Sequence, residues 1–210
     1  MIKVKICGIT NLEDALVAKE AGADYLGFII YEKSKRFVIE KEVQCMVSHL
    51  RSLEECPRLV GVFVNKTAEE MIETVQFCGL DLAQHHGTGL VPPFANNIYK
   101  AIQPKSRDEA LQAASTFVLS PSSFILADAY HPNEYGGTGE TGDWEIAREL
   151  VEAGNRVLLA GGLTPENVGD ASGQVQPWGV DVASGTEASA GVKDHAKVRL
   201  FVQNAKQAVL

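Results

Sequence analysis

The sequence predicts a single α/β domain over residues 1–210, a closed (βα)8 TIM barrel. Three observations predict it. Apolar runs of strand length recur eight times along the 210 residues, about one every 26, and a helix-type pattern follows nearly every one. The residues able to carry chemistry fall directly after those runs, in all parts of the chain. An open doubly wound sheet, the rival fold, would gather its ligand residues near one switch point instead. Finally, no linker, low-complexity run or charge block divides the chain.

The elements follow in order. Residues 2–6 form a first strand, and Asn11 caps a helix carried by Leu12, Ala15, Leu16 and Lys19 up to an Ala21-Gly22 stop. A second strand covers 24–30 and ends in the cationic loop 31–36; a helix follows over about 40–51. Strand three, 59–64, leads through Asn65 and Thr67 into a helix marked by Ala68, Met71, Ile72 and Val75 and closed by Gly79. Strand four covers 80–85, and Pro92 and Pro93 leave room after it for a short helix at most. Strand five, 97–102, precedes a helix over 107–115, and strand six, 123–127, ends at Asp128. A glycine-rich loop, 135–139, then separates Asp128 from a helix capped by Asp143. Strand seven, 157–160, ends in Gly161-Gly162, with Thr164-Pro165-Glu166 opening a helix that has Pro at its first position. Strand eight, 180–182, runs into 183–187, and a terminal helix covers about 194–207.

Composition narrows the function classes. With 19 basic and 27 acidic residues the net charge is -8, which argues against a broad nucleic-acid surface and leaves room for a local basic pocket. No apolar run has the length of a membrane span, and the N-terminus enters a patterned strand without a leader, so no membrane partner and a cytoplasmic location are expected. Cys7, Cys45, Cys56 and Cys78 lack C-x-x-C spacing, so free thiols are expected, with the last three serving as packing and no metal site.

In a barrel the C-terminal strand ends converge on one mouth, which collects Cys7, Arg36, Gln84, His86, Asp128, Gly161, Gly162, Asp181, Ser184 and Gly185. Gly161-Gly162 and Ser184-Gly185 offer backbone N–H groups to a phosphate, although Gly-Gly alone is equally a tight turn. The planar fork of Arg36 suits a carboxylate, with Lys33 and Lys35 solvated beside it. Cys7 and Asp128 are complementary for proton transfer: a thiol lowered by positive surroundings takes a proton and a carboxyl kept protonated at a dry mouth gives one. Either can instead be structural, a core thiol and a loop cap. Gln84 and His86 are placed to align substrate hydroxyls, and His85 reads as a satisfied, partly buried histidine.

The motifs K-I-C-G-I-T-N, K-S-K-R-F, G-V-F-V-N, Q-x-H-G, E-Y-G-G-T-G, A-G-G-L-T-P-E-N-V and V-D-V-A-S-G-T-E, taken with V-K-D-H-A-K-V, resemble the phosphoribosylanthranilate isomerases of tryptophan biosynthesis over nearly the whole chain. The resemblance implies an Amadori rearrangement of N-(5-phosphoribosyl)anthranilate without metal or organic cofactor. Its substrate would be a phosphosugar-anthranilate; for the assembly the expectation is a monomer or homodimer. By motif, Cys7 matches the general base, Asp128 the general acid and Arg36 the arginine that binds the anthranilate carboxylate. Gly161, Gly162, Ser184 and Gly185 match the phosphate loops. The chain departs from the pattern at Glu140 and Gly142, where lysine and phenylalanine are common, and at His85, where an apolar residue is usual. A histidine-pathway aminoaldose isomerase and a non-catalytic phosphosugar-binding barrel are the competing readings.

Overall fold

The structure is a computed structural model that describes residues 1–87, 97–117, 123–128 and 144–208. Eight strands close into a parallel barrel: β1 (Lys3–Cys7), β2 (Tyr25–Ile29), β3 (Arg58–Val64), β4 (Leu82–His86), β5 (Ile98–Ile102), β6 (Ile125–Ala127), β7 (Val157–Leu159) and β8 (Gly179–Val182). β1 closes it by pairing with both β2 and β8, in register Lys5↔Tyr25 and Lys5↔Asp181. Outside lie α1 (Leu12–Glu20), α2 (Glu40–Arg51), α3 (Ala68–Cys78), α4 (Arg107–Phe117), α5 (Trp144–Glu152), α6 (Val168–Val175) and α7 (His195–Gln207). The predicted short helix around Pro92 and Pro93, the loop 135–139, Glu140, Gly142 and the cap Asp143 lie outside the described residues. Among the described residues no helix is long and apolar enough to cross a membrane.

The strands bury both faces, as parallel strands under a helical layer must. Val4 and Ile6 point outward into the main core, while Tyr25, Val60, Leu82, Tyr99, Leu126 and Leu158 fill the barrel axis. Tyr25, Tyr99, Phe124 and Trp178 stack with ring centroids 4.4 to 6.5 Å apart and plug the N-terminal end. The solvent-facing mouth is therefore the C-terminal one.

Local signals act where the sequence places them. The Asn11 side chain accepts from Asp14 N, Thr67 and Glu70 form a complete capping box, and Gly79 closes α3 in the left-handed conformation. Two expectations are corrected. Residues 165–167 form a turn and α6 starts at Val168, because the Asn167 side chain accepts from Thr164 N at 2.8 Å and donates to Gly162 O at 2.9 Å. Pro165 thus precedes the helix, and Asn167 braces the loop after β7. Cys45 is exposed rather than packed, since the buried stripe of α2 is Val43, Met46, Val47 and Leu50 and Cys45 lies off it.

A further hairpin, β9 (Glu187–Ser189) with β10 (Val192–Lys193), follows a 3-10 turn at Ser184–Thr186. The K-D-H segment behind it has three structural uses. Lys193 reaches Ala183 O and Glu187, Asp194 caps α7, and His195 Nε2 lies 2.9 Å from Asp14 Oδ1 on α1. Asp14 also accepts from Lys193 N at 3.0 Å, which fastens the last unit of the barrel to the first.

Candidate active site

A cavity of about 400 Å³ opens at the C-terminal mouth, and its wall includes Cys7, Arg36, Gln84, His86, Asp128, Gly161, Gly162, Asp181 and Ser184. Nine of the ten residues expected there from sequence thus meet around one space. Gly185 sits just behind the wall, where an added Cβ would run into the carbonyl oxygen of Leu163. Its lack of a side chain lets the loop after β8 touch the loop after β7.

Strand order sets the layout. Around the barrel the sequence β6-β7-β8-β1-β2 carries Asp128, then Gly161-Gly162, then Ser184, then Cys7, then Arg36. Cys7 therefore stands between the glycine loops on one side and the arginine on the other. Asp128, at the end of β6, is half-buried and donates its backbone N–H to Ile102 O at 2.9 Å.

Cys7 shares the inward face of β1 with Lys5, two residues earlier, as strand alternation requires. Lys5 is fully buried, and its Nζ lies 2.7 Å from Asp181 Oδ1. Burial is the largest influence on the Lys5 ammonium and works against it. Asp181, Cys7 and Tyr99 together outweigh that penalty, so the Lys5 pKa stands above its ordinary value. The Cys7 thiol is pushed up by burial, with Lys5 opposing. This corrects the expected lowered thiol: desolvation outweighs the nearby cation. Gly27 of β2 makes the space, since a Cβ there would fall 2.8 Å from Cys7 Sγ and 3.2 Å from Lys5 Cε.

Arg36 lies across the backbone of Gly8, with Nε and Nη2 donating to Oε1 and Oε2 of Glu187 at 2.6 and 2.8 Å. The fork of Arg36 is occupied by the carboxylate of Glu187, from within the chain. Lys193 lies 3.4 Å from the same Glu187 Oε1. The loop after β8 thereby reaches across the end of β1 to the loop after β2, helped by a hydrogen bond from Thr10 Oγ1 to Gly191 O.

Gln84 and His86 belong to a buried chain. Tyr99 Oη donates to Gln84 Oε1 at 2.7 Å, and Gln84 Nε2 lies 2.7 Å from His86 Nε2. Donation along that chain makes His86 Nε2 an acceptor and puts its ring proton on Nδ1. Burial, reinforced by Lys5, pulls His86 down to about 3, so the ring is neutral at physiological pH. His85 faces the outer layer, where Nδ1 lies 3.2 Å from Lys100 Nζ. Its Nε2 is buried without a partner among the described residues, so it is not the satisfied histidine the sequence suggests.

Sequence reasoning missed Lys5, Glu187 and Lys193. The signal for Lys5 was its two-residue spacing from Cys7, which places both on one strand face; the partners of Arg36 carried no comparable mark. Among the described residues, no cluster of three or more His, Cys, Asp or Glu is placed to hold a metal ion.

Comparison with known proteins gives one answer. The family described as N-(5'-phosphoribosyl)anthranilate (PRA) isomerase matches residues 4–204. The N-(5'-phosphoribosyl)anthranilate isomerase of Trichlorobacter lovleyi is 44% identical over 209 residues, covering 100% of both chains. Monomers generated from the dimeric phosphoribosylanthranilate isomerase of Thermotoga maritima superpose with a TM-score of 0.82 at 35% identity, covering 98% of this chain and 99% of that one. A phosphoribosyl anthranilate isomerase in complex with reduced 1-(o-carboxyphenylamino)-1-deoxyribulose 5-phosphate gives a TM-score of 0.81 at 34% identity, with the same coverage.

Proposed function

The chain belongs to the N-(5'-phosphoribosyl)anthranilate isomerase family, and from that premise we propose that Cys7 is the general base and Asp128 the general acid of its reaction. The reaction is the tryptophan-pathway isomerisation of N-(5-phosphoribosyl)anthranilate to 1-(2-carboxyphenylamino)-1-deoxyribulose 5-phosphate. The observation that carries the assignment is the single cavity whose wall holds Cys7, Asp128, Arg36 and the glycine loops together.

The substrate phosphate binds the backbone N–H groups of Gly161, Gly162, Ser184 and Gly185. The anthranilate carboxylate binds the guanidinium of Arg36, beside the carboxylate of Glu187. With both ends anchored, the ribose spans the end of β1. Asp128 protonates the ring oxygen, the C1–O bond breaks, and the nitrogen lone pair forms the protonated Schiff base. Cys7 as thiolate then removes the C2 proton, and the C–H electrons form the enolamine, which tautomerises to the ketone. Fixing both ends sets the reacting atoms between acid and base, which is how two groups suffice. His86 and Gln84 line the same space and contact the sugar hydroxyls. Asp181 serves the substrate indirectly, through Lys5. We place the enzyme in the cytoplasm as a monomer or homodimer with no nucleic-acid partner.

Freshly prepared phosphoribosylanthranilate should lose its fluorescence on addition of the purified protein. Cys7→Ser and Asp128→Asn should each lower kcat by about 100-fold or more while product binding persists. Turnover of only the histidine-pathway aminoaldose, or product binding with no turnover in the parent protein, would overturn the assignment.

A further inference from the structure

Lys5 is a charged side chain with no exposed surface at all, and the acid–base chemistry above leaves it unused. Burying an ammonium is costly, and a barrel axis is ordinarily filled by branched apolar side chains. Three features converge on it. Its partner Asp181 comes from the neighbouring strand β8 at 2.7 Å. Its stem and the Cys7 sulfur both press on the bare backbone of Gly27. Cys7 Sγ and Lys5 Cε lie 2.8 and 3.2 Å from the point where a Gly27 Cβ would sit, close enough for the ammonium's charge to favour the thiolate.

We propose that Lys5 is the positioning residue for Cys7: its ammonium holds the thiolate that takes the substrate proton, and Asp181 is the counter-ion that balances the ammonium's charge while Cys7 is a thiol. The proposal rests on Cys7 being the base. While Cys7 is a thiol the Lys5–Asp181 pair is neutral overall, so the buried site tolerates it; when Cys7 is the thiolate that awaits the substrate proton, the cation faces two anions and stabilises the new one. The other groups around Cys7 do not substitute for Lys5. Tyr25 of β2 and Tyr99 of β5 face the same interior, and Tyr99 is held neutral, chiefly by burial. His86 of β4 is neutral as well. Asp128, just after β6, is a carboxyl and supplies no positive charge. Arg36 is held to Glu187 by two bonds; Lys193 of β10 also favours the thiolate, less than Lys5 does, and is held to Glu187 and Ala183 O. Asp181 raises the Cys7 thiol while Lys5 lowers it, so removing one or the other moves the thiol in opposite directions.

That opposition is the test. The Cys7 thiolate is titrated by ultraviolet absorbance and by iodoacetamide alkylation rate, without substrate, in Lys5→Met, Lys5→Arg and Asp181→Asn. Each is paired with its Cys7→Ser counterpart to subtract Cys45, Cys56 and Cys78. Lys5→Met should raise the thiol pKa by at least about one unit, slowing alkylation near neutral pH about tenfold. Lys5→Arg should stay close to the parent, and Asp181→Asn should lower the pKa and speed alkylation. The acidic limb of the kcat/KM profile should move in the same directions. If Lys5→Met does not fold, as circular dichroism reports, the sign of the Asp181→Asn shift decides. An unchanged or raised thiol in Asp181→Asn, or an unmoved thiol in a folded Lys5→Met, overturns the proposal. A merely structural lysine would change the melting temperature and leave the titration where it was. Because these titrations use no substrate, failure of the parent to isomerise would overturn the functional reading separately.

Discussion

At the scale of single residues, the site depends on contacts that tolerate little change. Gly27 is the sharpest case, because any side chain there meets Cys7 Sγ and the Cys7 backbone within 3.2 Å. Gly27→Ala should therefore displace the thiol and lower kcat by about 100-fold, with a smaller effect on KM, since misplacing a reacting group by about 1 Å costs that much. Steady-state kinetics beside a melting curve will check it. Arg36→Lys keeps the charge but loses the fork that holds Glu187 and that we propose receives the substrate carboxylate. It should raise KM by about 10-fold or more with kcat much less affected, because a charge-assisted bond is worth about 1.5–3 kcal/mol. An unchanged KM would remove Arg36 from the carboxylate end.

At the scale of elements, two polar anchors of different burial allow a graded test. Thr67 and Glu70 cap α3 at an exposed position, so Thr67→Ala should cost about 1 kcal/mol. Asp14 is buried on α1 and serves Asn11 Nδ2, Lys193 N and His195 Nε2 together. Asp14→Ala should cost about 3 kcal/mol, because it strands buried donors of the last βα unit as well as losing its own bonds. Urea unfolding of the two variants measures the difference, and equal losses would contradict this role for Asp14. The same contact gives the K-D-H segment a structural use besides the reach of Lys193 to Glu187: it fastens the last unit of the barrel to the first.

At the scale of the whole molecule, the two adjacent histidines of β4 tie stability to pH. Burial is the leading cause in both: His85, facing Lys100, is lowered to about 4 and His86 to about 3, against an ordinary value of 6.5. The unfolded chain binds these protons first, so their contribution is present above about pH 6.5 and is lost as pH falls from there towards 4 and then 3. Denaturant midpoints should decline over that window, and replacing His85 with Leu should flatten the upper part of it. A midpoint that declines just as steeply without His85 would refute its share. Net charge acts at this scale too. The chain is acidic at -8, yet Lys33, Lys35 and Arg36 stand at the mouth, where they favour a substrate carrying a phosphate and a carboxylate.

The sequence by itself determined the repeating units, the barrel class, the positions of Cys7, Asp128 and Arg36 after their strands, and the glycine loops. Those depend on local periodicity and on which residue types tolerate a turn, and both are written along the chain. Helix α6 was misplaced because the Asn167 side chain, and not Pro165, decides where its first turn begins. Only the tertiary structure decided that Lys5 pairs with Asp181 across 176 positions and that Arg36 grips Glu187 across 151. It also put the Cys7 thiol above its ordinary pKa. Long-range partners and desolvation exist only once the barrel closes, when β1 meets β8 and the interior loses its water.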